Sequence, residues 1–453
     1  MSHYKPYPAY KDSGVEWAPE IPVHWDVKRL RFVASLNPLP EWKDLEGQGA
    51  DYPFLPMEAI GEAGELDTTR RKPISECRAG YTYFAEGDVA YAKVTPCFEN
   101  GKGAVMRGLE GGHGFGTTEL TVLRPVSIDR DYLYALTFAE SFRQPGAAEM
   151  LGTGGLKRVP DEYARNYRAA LPPPEEQPVI AAAIDRETAR IDALIAKKTR
   201  FIELLQEKRQ ALITHAVTKG LDPNVKMKDS GVEWIGEVPA HWVVVQLGKL
   251  AKDRCDGPFD SGLKSEHYVD DGVRVVRLQN IGWAEFKGDN AAFISHEHWQ
   301  DVLGRGHSVV PGDLLVAGLG DENNPLGRAC VAPQNIGDAI VKADCYRFRL
   351  DQHKALSSFV ALSLSATAQA ECGFMATGAT RDRLNLGLAS SRTVALPPTT
   401  EEQQAIASCI QNKVARIDLL AWKNQHSIDL LKERRSAFIT AAVTGQIDLR
   451  ESA

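Results

Sequence analysis

The chain has 453 residues, of which 43% are hydrophobic and 25% charged, and its formal net charge is −7. This composition is typical of a globular protein of two to four domains, and it argues against a self-sufficient nucleic-acid-binding protein, which normally has a basic surplus. Because the sequence has neither a long apolar run nor an apolar signal core, and its seven cysteines are scattered without a C-x-x-C pair, we expect a cytoplasmic protein with reduced thiols, no membrane span and no metal site.

The first part of the chain predicts a mixed α/β domain with more strand than helix. It begins with DSGVEW at residues 12–17 and PVHW at residues 22–25, ahead of the first core strand. His24 suggests a metal ligand, but no second ligand lies at metal spacing, so we interpret it as a histidine at the domain edge beside a packed tryptophan. The same interpretation holds for His241 in the later counterpart of this piece.

A long helix follows the first domain. Prolines at residues 172–174 end the preceding strand, and apolar residues then recur at heptad spacing. A helix of roughly 40 residues is about 60 Å long, at 1.5 Å per residue.

The complete unit of domain and helix then recurs. DSGVEW returns at residues 229–234, an offset of 217 residues (229 − 12). GDV at residues 87–89 matches GDL at residues 312–314, and Arg124 matches Arg349, both at an offset of 225 (312 − 87). A period above 200 residues indicates the tandem duplication of a whole two-part unit rather than a solenoid.

The second helix begins like the first. EEQ at residues 175–177 returns at residues 401–403, an offset of 226 (401 − 175). Thr400 and Gln403 have the capping-box pattern, in which a hydroxyl accepts from a backbone N–H and a glutamine side chain reaches back to the first residue.

The heptad pattern predicts that the two helices pair with each other as an antiparallel coiled coil, with the domains at opposite ends of a rigid rod. Leu194 and Leu420 form a second apolar row three residues on from the first, and Lys198 and Asn424 interrupt the seam and could fix its register at a cost in stability. The predicted seam consists of Ile184, Ile191, Leu194, Lys198, Leu205, Leu212, Ile410, Ile417, Leu420, Asn424, Leu431 and Phe438.

The repeated pieces resemble the specificity subunits of type I restriction-modification systems. In each helix the resemblance rests on EEQ, ARID, LL-x-E-[KR]-R and IT-x-AVT, and ahead of each domain on DSGVEW and P-x-HW. The first domain adds AKVTPCFENGK at residues 92–102 and GFGTTE at residues 114–119. The match covers essentially the whole chain, twice and in the same order.

The resemblance implies an α+β fold with internal duplication and pseudo-twofold symmetry. Two mixed α/β target-recognition domains would be separated by two long α-helices paired as an antiparallel coiled coil. The implied segments are the first target-recognition domain at 1–172, the first conserved helical spacer at 173–222, the second target-recognition domain at 223–398 and the second helical spacer at 399–453.

The resemblance also implies a role without catalysis in this chain. Each domain would read one half of a bipartite site in double-stranded DNA, and the helix pair would set the unread spacer. Two modification subunits would dock on the helices and methylate adenine with S-adenosylmethionine, and restriction subunits would add cleavage that depends on ATP and magnesium. This chain would bind none of these cofactors itself.

Basic and amide side chains in glycine-rich segments are the candidate DNA contacts, because Arg and Lys bind guanine or phosphate and Asn binds adenine. Two matching segments precede the last strand of each domain, GTGGLKR at residues 152–158 and TGATRDR at residues 377–383. The alternative for each is a solvated loop, or a structural turn in the segment at 92–102. The candidates are Lys93, Asn100, Lys102, Lys157, Arg158, Lys264, Arg274, Arg277, Arg381 and Arg383.

Two other classes of function were weighed. A DNA methyltransferase needs an [ND]-P-P-aromatic motif, but Asn37 and Asn324 are each followed by Pro-Leu, and the sequence has no P-loop. Glu285 and Lys287 imitate a nuclease site only at a spacing that is common by chance. A protein-binding coiled-coil adapter, or a degenerate relic without DNA specificity, stays open, although an adapter would not need two large diverged domains.

Overall fold

The computed structural model describes residues 4–42, 45, 51–78, 80–153, 155–258, 263–321, 324–375 and 383–450. The chain divides into two compact units, unit 1 (Met1–Thr199 with Asn424–Ala453) and unit 2 (Arg200–Lys423), so the division crosses both long helices. In the described ranges, no helix combines the length and the apolar character that a membrane span requires.

The first domain lies in unit 1 and is built from short strands and short helices that lead into a long helix. Its strands are β1 (Tyr10–Asp12), β2 (Glu20–Pro22), β3 (Asp26–Arg29), β4 (Ala34–Leu36), β5 (Asp51–Leu55), β6 (Arg71–Pro73), β7 (Thr82–Ala85), β8 (Val89–Ala92), β9 (Gly103–Val105), β10 (His113–Gly116), β11 (Leu120–Pro125), β12 (Leu151–Thr153), β13 (Leu156–Arg158) and β14 (Arg168–Leu171). Its helices are α1 (Ile74–Cys77), α2 (Arg130–Phe138), α3 (Glu140–Ala148), α4 (Asp161–Asn166) and the long α5 (Gln177–Lys219).

Two four-stranded sheets form the body of the first domain, in the orders β6-β5-β10-β7 and β4-β11-β8-β9. All of their pairings are antiparallel except that of β5 with β10, which is parallel. Strand β8 is buried along its whole length, as expected for a Val-Ala-Tyr-Ala strand between two neighbours. The main core packs Trp25 and Phe142 with Ile180 of α5 and with Phe438 from the end of the chain.

The second domain lies in unit 2 and repeats this plan. Its strands are β15 (Met227–Asp229), β16 (Glu237–Pro239), β17 (Val243–Gln246), β18 (Ala251–Cys255), β19 (Tyr268–Val269), β20 (Val273–Val276), β21 (Phe293–Ile294), β22 (Ser308–Val309), β23 (Leu314–Ala317), β24 (Ala329–Val331), β25 (Ala339–Val341), β26 (Cys345–Leu350) and β27 (Thr393–Leu396). Its helices are α6 (Leu247–Leu250), α7 (Ser357–Met375), α8 (Leu386–Ser391) and the long α9 (Thr400–Val443).

The sheets of the second domain have the topology of the first. The order β18-β26-β23-β24 corresponds strand for strand to β4-β11-β8-β9, and the sheet β19-β21-β20-β25-β22 contains the same parallel pair, here β20 with β25. Its additional strand β19 lies in the stretch where the repeat offset grows from 217 to 225 residues. The duplication predicted from the sequence therefore extends to the strand order.

One buried ion pair marks the equivalent strands in both domains. Arg124 on β11 donates to both carboxylate oxygens of Asp88 at 2.8 Å, and Arg349 on β26 does the same to Asp313 at 2.9 Å. Each aspartate also accepts a backbone N–H three residues before it, which closes the turn into the strand. The repeat predicted that these four residues match, and the structure shows that they match because they pair.

Segments of α5 and α9 run antiparallel within each unit. In unit 1, Asp192 on α5 bonds Arg435 on α9 at 3.1 Å, and Lys198 donates to the Asn424 amide oxygen at 3.3 Å. In unit 2, Arg209 lies 3.2 Å from Asp418. The pairs Asp192–Arg435 and Asp418–Arg209 are the same pair under the 226-residue offset, because each helix supplies the acid in one unit and the base in the other.

The first apolar row is buried much as the heptad pattern predicts, and the second is not. Of the predicted seam, Ile184, Ile191, Leu205, Ile410, Ile417 and Phe438 are buried, and Lys198, Leu212, Asn424 and Leu431 are half-buried. Leu194 and Leu420 are 41% and 45% exposed, so their placement in a buried second row is wrong. Ile428, four rather than three residues beyond a first-row position, is buried instead, because at 3.6 residues per turn the third and fourth residues lie on opposite sides of the row.

The predicted capping box at Thr400 is also wrong. The helix begins at Thr400, and the hydroxyl of Thr399 accepts from the backbone N–H of Glu402 at 3.3 Å. The Gln403 side chain accepts from Leu356 N and donates to the carbonyls of Lys354 and Pro397. Gln403 therefore ties the first helical turn to the domain rather than to its own N-cap.

Candidate nucleic-acid interface

Each domain is bonded to the first turn of the long helix that follows it. In unit 1 the carboxylate of Glu176 accepts from Tyr7 Oη at 2.6 Å and from Trp25 Nε1 at 3.3 Å, and it lies 2.8 Å from His24 Nε2. In unit 2 the Glu402 carboxylate bonds Trp242 Nε1 at 2.9 Å and His241 Nε2 at 3.1 Å. These contacts fix the reading surface of a domain relative to its own helix start.

The two histidines thus lie where the sequence predicts, at a domain edge beside a buried tryptophan. Their partner is a single glutamate in each case. Among the described residues, no group of three or more His, Cys, Asp or Glu side chains has a geometry that could hold a metal ion.

A two-stranded ribbon, β12 with β13, presents the first candidate segment of domain 1. All six strand residues are exposed, and Leu151 and Leu156 are 70% and 58% exposed. The strand register places these two leucines and Arg158 on one face and Gly152 with Lys157 on the other. A two-stranded ribbon of this kind fits the width of a DNA major groove.

The base of the ribbon is held by Thr95. Its hydroxyl donates to Gly155 O at 2.8 Å and accepts from Lys157 N at 3.0 Å, while its backbone N–H donates to Lys157 O at 2.9 Å. Gly152 has φ +145°, and a Cβ there would lie 2.4 Å from Leu156 O. The glycine is therefore required for the close approach of the two strands.

Arg158 does not lie free on this ribbon. Its Nε and Nη2 donate to the two carboxylate oxygens of Glu119 at 2.8 and 2.6 Å. The hydrogen bonds from Arg158 hold the pKa of the Glu119 carboxyl below its usual range, and the charge of Lys93 adds to this lowering. The result is a positioned guanidinium on an exposed strand, next to the exposed Lys157.

Arg383 has the same arrangement in domain 2. Its Nε donates to Asp344 Oδ1 at 2.9 Å, and its Nη2 lies 2.7 Å from the same oxygen. Arg381, the other candidate in this segment, lies outside the described residues.

The other candidates of domain 1 are engaged within the fold. Lys102 Nζ donates to Met57 O at 3.3 Å, and the Asn100 amide donates to Glu62 Oε1 at 3.0 Å. Asn100 also lines a cavity of about 280 Å³ that includes Arg435 of α9. Lys93 is half-buried on the strand side of Glu119. The structure thus brings Lys93, Lys157 and Arg158 to one region and gives Asn100 and Lys102 local partners.

In domain 2, Arg274 and Arg277 hold a neighbouring loop. Arg274 Nη2 donates to Gly288 O at 2.6 Å with its guanidinium over the Phe286 ring, and Arg277 donates to Asn290 O. Desolvation, together with the charge of Arg277, lowers the pKa of Arg274. Lys264 is exposed at the start of a short turn.

Sequence reasoning missed the acidic partners. Glu119 and Asp344 are related by the same 225-residue offset as Arg158 and Arg383, as are Asp88 and Asp313. Extending the repeat alignment through every charged position would have found both pairs. Its failure to do so came from weighing cations alone as DNA ligands.

The fold and the site define an internally duplicated α+β protein whose two domains expose an acid-paired arginine at equivalent positions and are each bonded to a long helix. No family model matches the chain. It is 36% identical over 198 residues to the specificity subunit of the type I restriction enzyme EcoEI of Escherichia coli, a match over 43% of this chain and 33% of the relative. The chain thus spans about a third of the length of the first curated relatives that it matches.

A second relative matches along nearly the whole chain. It is a Methanocaldococcus jannaschii protein assigned as the type I restriction enzyme MjaX specificity subunit, 24% identical over 446 residues and 95% of both chains. A chain from a structure of the assembly and conformational transition of the type I R-M system superposes with a TM-score of 0.73 over 94% of this chain and 99% of that one, at 17% identity. The protein belongs to the family of type I restriction-modification specificity subunits.

Proposed function

We propose that this chain is the sequence-specific DNA-binding subunit of a type I restriction-modification complex, without chemistry of its own. Each domain reads one half of a bipartite site in double-stranded DNA. The support for this function is that one frame, fixed twice by the pairs Asp88–Arg124 and Asp313–Arg349, carries two different exposed surfaces. An unchanged frame with diverged surfaces suits two half-sites of different sequence.

The divergence extends into the cores that support those surfaces. Domain 1 packs Tyr167 edge-on to Phe142, with ring centroids 4.9 Å apart. At the position equivalent to Tyr167, domain 2 has Arg392, which is fully buried and bonds Glu371 at 2.8 Å. Such changes re-aim surface loops without changing the strand order.

The two long helices set the number of unread base pairs between the half-sites. They have 43 and 44 residues without interruption, which is about 65 Å each at 1.5 Å per residue. The bonds from Glu176 and Glu402 to the preceding domains make each helix continuous with a reading surface.

Methyltransferase subunits dock on the outer faces of these helices. Large exposed apolar side chains mark protein interfaces more often than solvent-facing surfaces. Those on the two helices are Leu194, Phe201, Leu204, Leu419, Leu420, Trp422 and Leu430. S-adenosylmethionine, ATP and magnesium act on the partner subunits, two of which methylate adenine while others cleave DNA, all in the cytoplasm.

The test is methylation mapping. The chain is co-expressed with the modification subunit encoded beside it in a host without adenine methylation, and modified adenines are located by single-molecule sequencing. The proposal predicts one split motif with a fixed unread gap, of which replacement of residues 1–172 by a homologous domain changes only one half. A stable complex that adds no methylation would contradict the proposal and favour a protein-binding adapter or a relic.

A further inference from the structure

The pairs Arg158–Glu119 and Arg383–Asp344 occupy the same place in the two domains. Each arginine forms an isolated antiparallel bridge with the segment after a central strand, Arg158 with Val94 and Arg383 with Leu319. The arginines, the acids and the bridge partners are all related by the single offset of 225 residues.

The arginine is retained where its neighbours are not. Along GTGGLKR at residues 152–158 and TGATRDR at residues 377–383, only the final arginine is the same in both copies. The acidic partner has changed from Glu119 to Asp344 but has kept its charge and its contact. The duplication therefore preserved this pair in a segment where it preserved nothing else.

Stability does not explain this retention. The Arg158 and Arg383 side chains are 47% and 48% exposed, and their acids are about a fifth exposed. Exposed ion pairs contribute little to folding, typically about 0–1 kcal/mol. The buried pairs Asp88–Arg124 and Asp313–Arg349 already hold the same strands.

The geometry of the pair leaves one edge of each guanidinium available. The carboxylate occupies the side formed by Nε and Nη2, so that Nη1 and the second Nη2 hydrogen point away from it. That remaining edge is the fork that fits the O6 and N7 acceptors of guanine in the major groove. A carboxylate on the other side fixes the plane of the fork before DNA arrives, which lowers the entropy cost of binding.

We propose that Arg158 and Arg383 each read one guanine, one in each half-site, with Glu119 and Asp344 as their positioning residues. This inference rests on the proposed function and adds to it a base, a groove and a matched residue in each domain. It also separates these two arginines from Arg274 and Arg277, whose guanidinium groups hold the loop at Gly288 and Asn290.

The experiment maps methylation motifs for Arg158→Ala and Arg383→Ala in the intact complex. Arg158→Ala should relax one G·C position in one half of the motif, and Arg383→Ala one position in the other half, each by about tenfold or more in discrimination. Arg70→Ala is the control, because Arg70 also forms an exposed ion pair, with Glu58, in domain 1. It should leave the motif unchanged.

A binding measurement covers the case in which a variant no longer methylates. The guanine in a duplex oligonucleotide is replaced by 7-deazaguanine, which lacks the N7 acceptor. The substitution should weaken binding of the unaltered protein and have no effect on the variant that lacks the reading arginine. A thermal unfolding curve like that of the unaltered protein shows that the variant is folded.

The acidic partners are tested by Glu119→Gln and Asp344→Asn, which should relax the same two positions, and by Glu119→Asp and Asp344→Glu, which should restore them. A motif unchanged in Arg158→Ala and Arg383→Ala, or a half-site without guanine, would overturn the inference and leave the proposed function intact. Failure of the unaltered complex to methylate any split motif would instead count against the proposed function.

Discussion

Arg124 donates from Nε and Nη2 to the two carboxylate oxygens of Asp88, both at 2.8 Å, and this aspartate is almost fully buried. A buried carboxylate is stable only when its oxygens have partners, and here the backbone N–H of Ala85 supplies a third. The arginine is therefore part of the cost of burying the turn at the start of β8, and it is retained in both domains for this reason.

Replacing Asp88 by Asn should destabilise the protein by about 2–3 kcal/mol, because the change leaves a buried cation edge without its charge partner. The value is placed below that of a fully buried pair because Arg124 is 35% exposed. Asp313→Asn should have an effect of similar size in domain 2. Urea unfolding measures both, with Asp26→Asn as the exposed control. A shift no larger than that of the control would contradict the structural role of the pair.

Glu176→Gln should cost more stability than Glu402→Gln. Glu176 is nearly buried and bonds Tyr7, His24 and Trp25, whereas Glu402 is one-third exposed. A lost hydrogen bond to a charged, buried acceptor is worth about 1–3 kcal/mol, and solvent screens the second site. Thermal unfolding of the two variants side by side gives the order directly, and equal losses or the reverse order would show that the domain–helix bonds do not act as the distances indicate.

Burial raises the pKa of the Cys330 thiol to about 12. The folded protein therefore keeps this thiol protonated at a pH where the unfolded chain ionises it, near 8.5. Its contribution to stability is complete below about pH 8.5 and is lost as the pH rises toward 12. Cys330→Ala should show a shallower loss of unfolding free energy between about pH 9 and 11 than the unaltered protein.

The matched control is Cys409→Ala, which removes a half-exposed thiol on α9. It should follow the pH dependence of the unaltered protein. Identical slopes in all three proteins would place the alkaline loss elsewhere.

Lys198 and Asn424 form a polar contact between equivalent positions of the two helices. Replacing both by Ile should raise the melting temperature by about 2–4 °C for each kcal/mol gained, since an apolar pair at a seam position is more stable than a polar one. Differential scanning calorimetry checks the direction. A lower melting temperature would show that the polar contact contributes net stability instead of register.

The sequence allowed the duplication, the long helices and the match of Asp88 with Asp313 to be predicted, because repeats and heptads are local patterns. It did not reveal that Glu119 is the partner of Arg158, since that contact depends on strand pairing across 39 residues. Lys102 was chosen by its motif, and its ammonium bonds the carbonyl of Met57, a partner that only the folded loop defines.

The errors at Leu194 and Thr400 have a different origin. A heptad with apolar residues at both the third and fourth positions does not say which side of the row faces the partner helix, and the neighbouring backbone decides. At Thr400 two adjacent threonines compete for the cap, and the domain contacts of Gln403 place the helix start one residue later than a cap at Thr400 would.

The pairing of Arg158 with Glu119, and of Arg383 with Asp344, also explains how a chain with a net charge of −7 can serve on DNA. An arginine that already has a carboxylate neutralises little additional phosphate charge, so it releases few counterions when it meets an arbitrary sequence. Its free edge gains only where a guanine matches it. Affinity for non-target DNA thus stays low at the reading residues themselves, and the search along the genome is not slowed by the groups that end it.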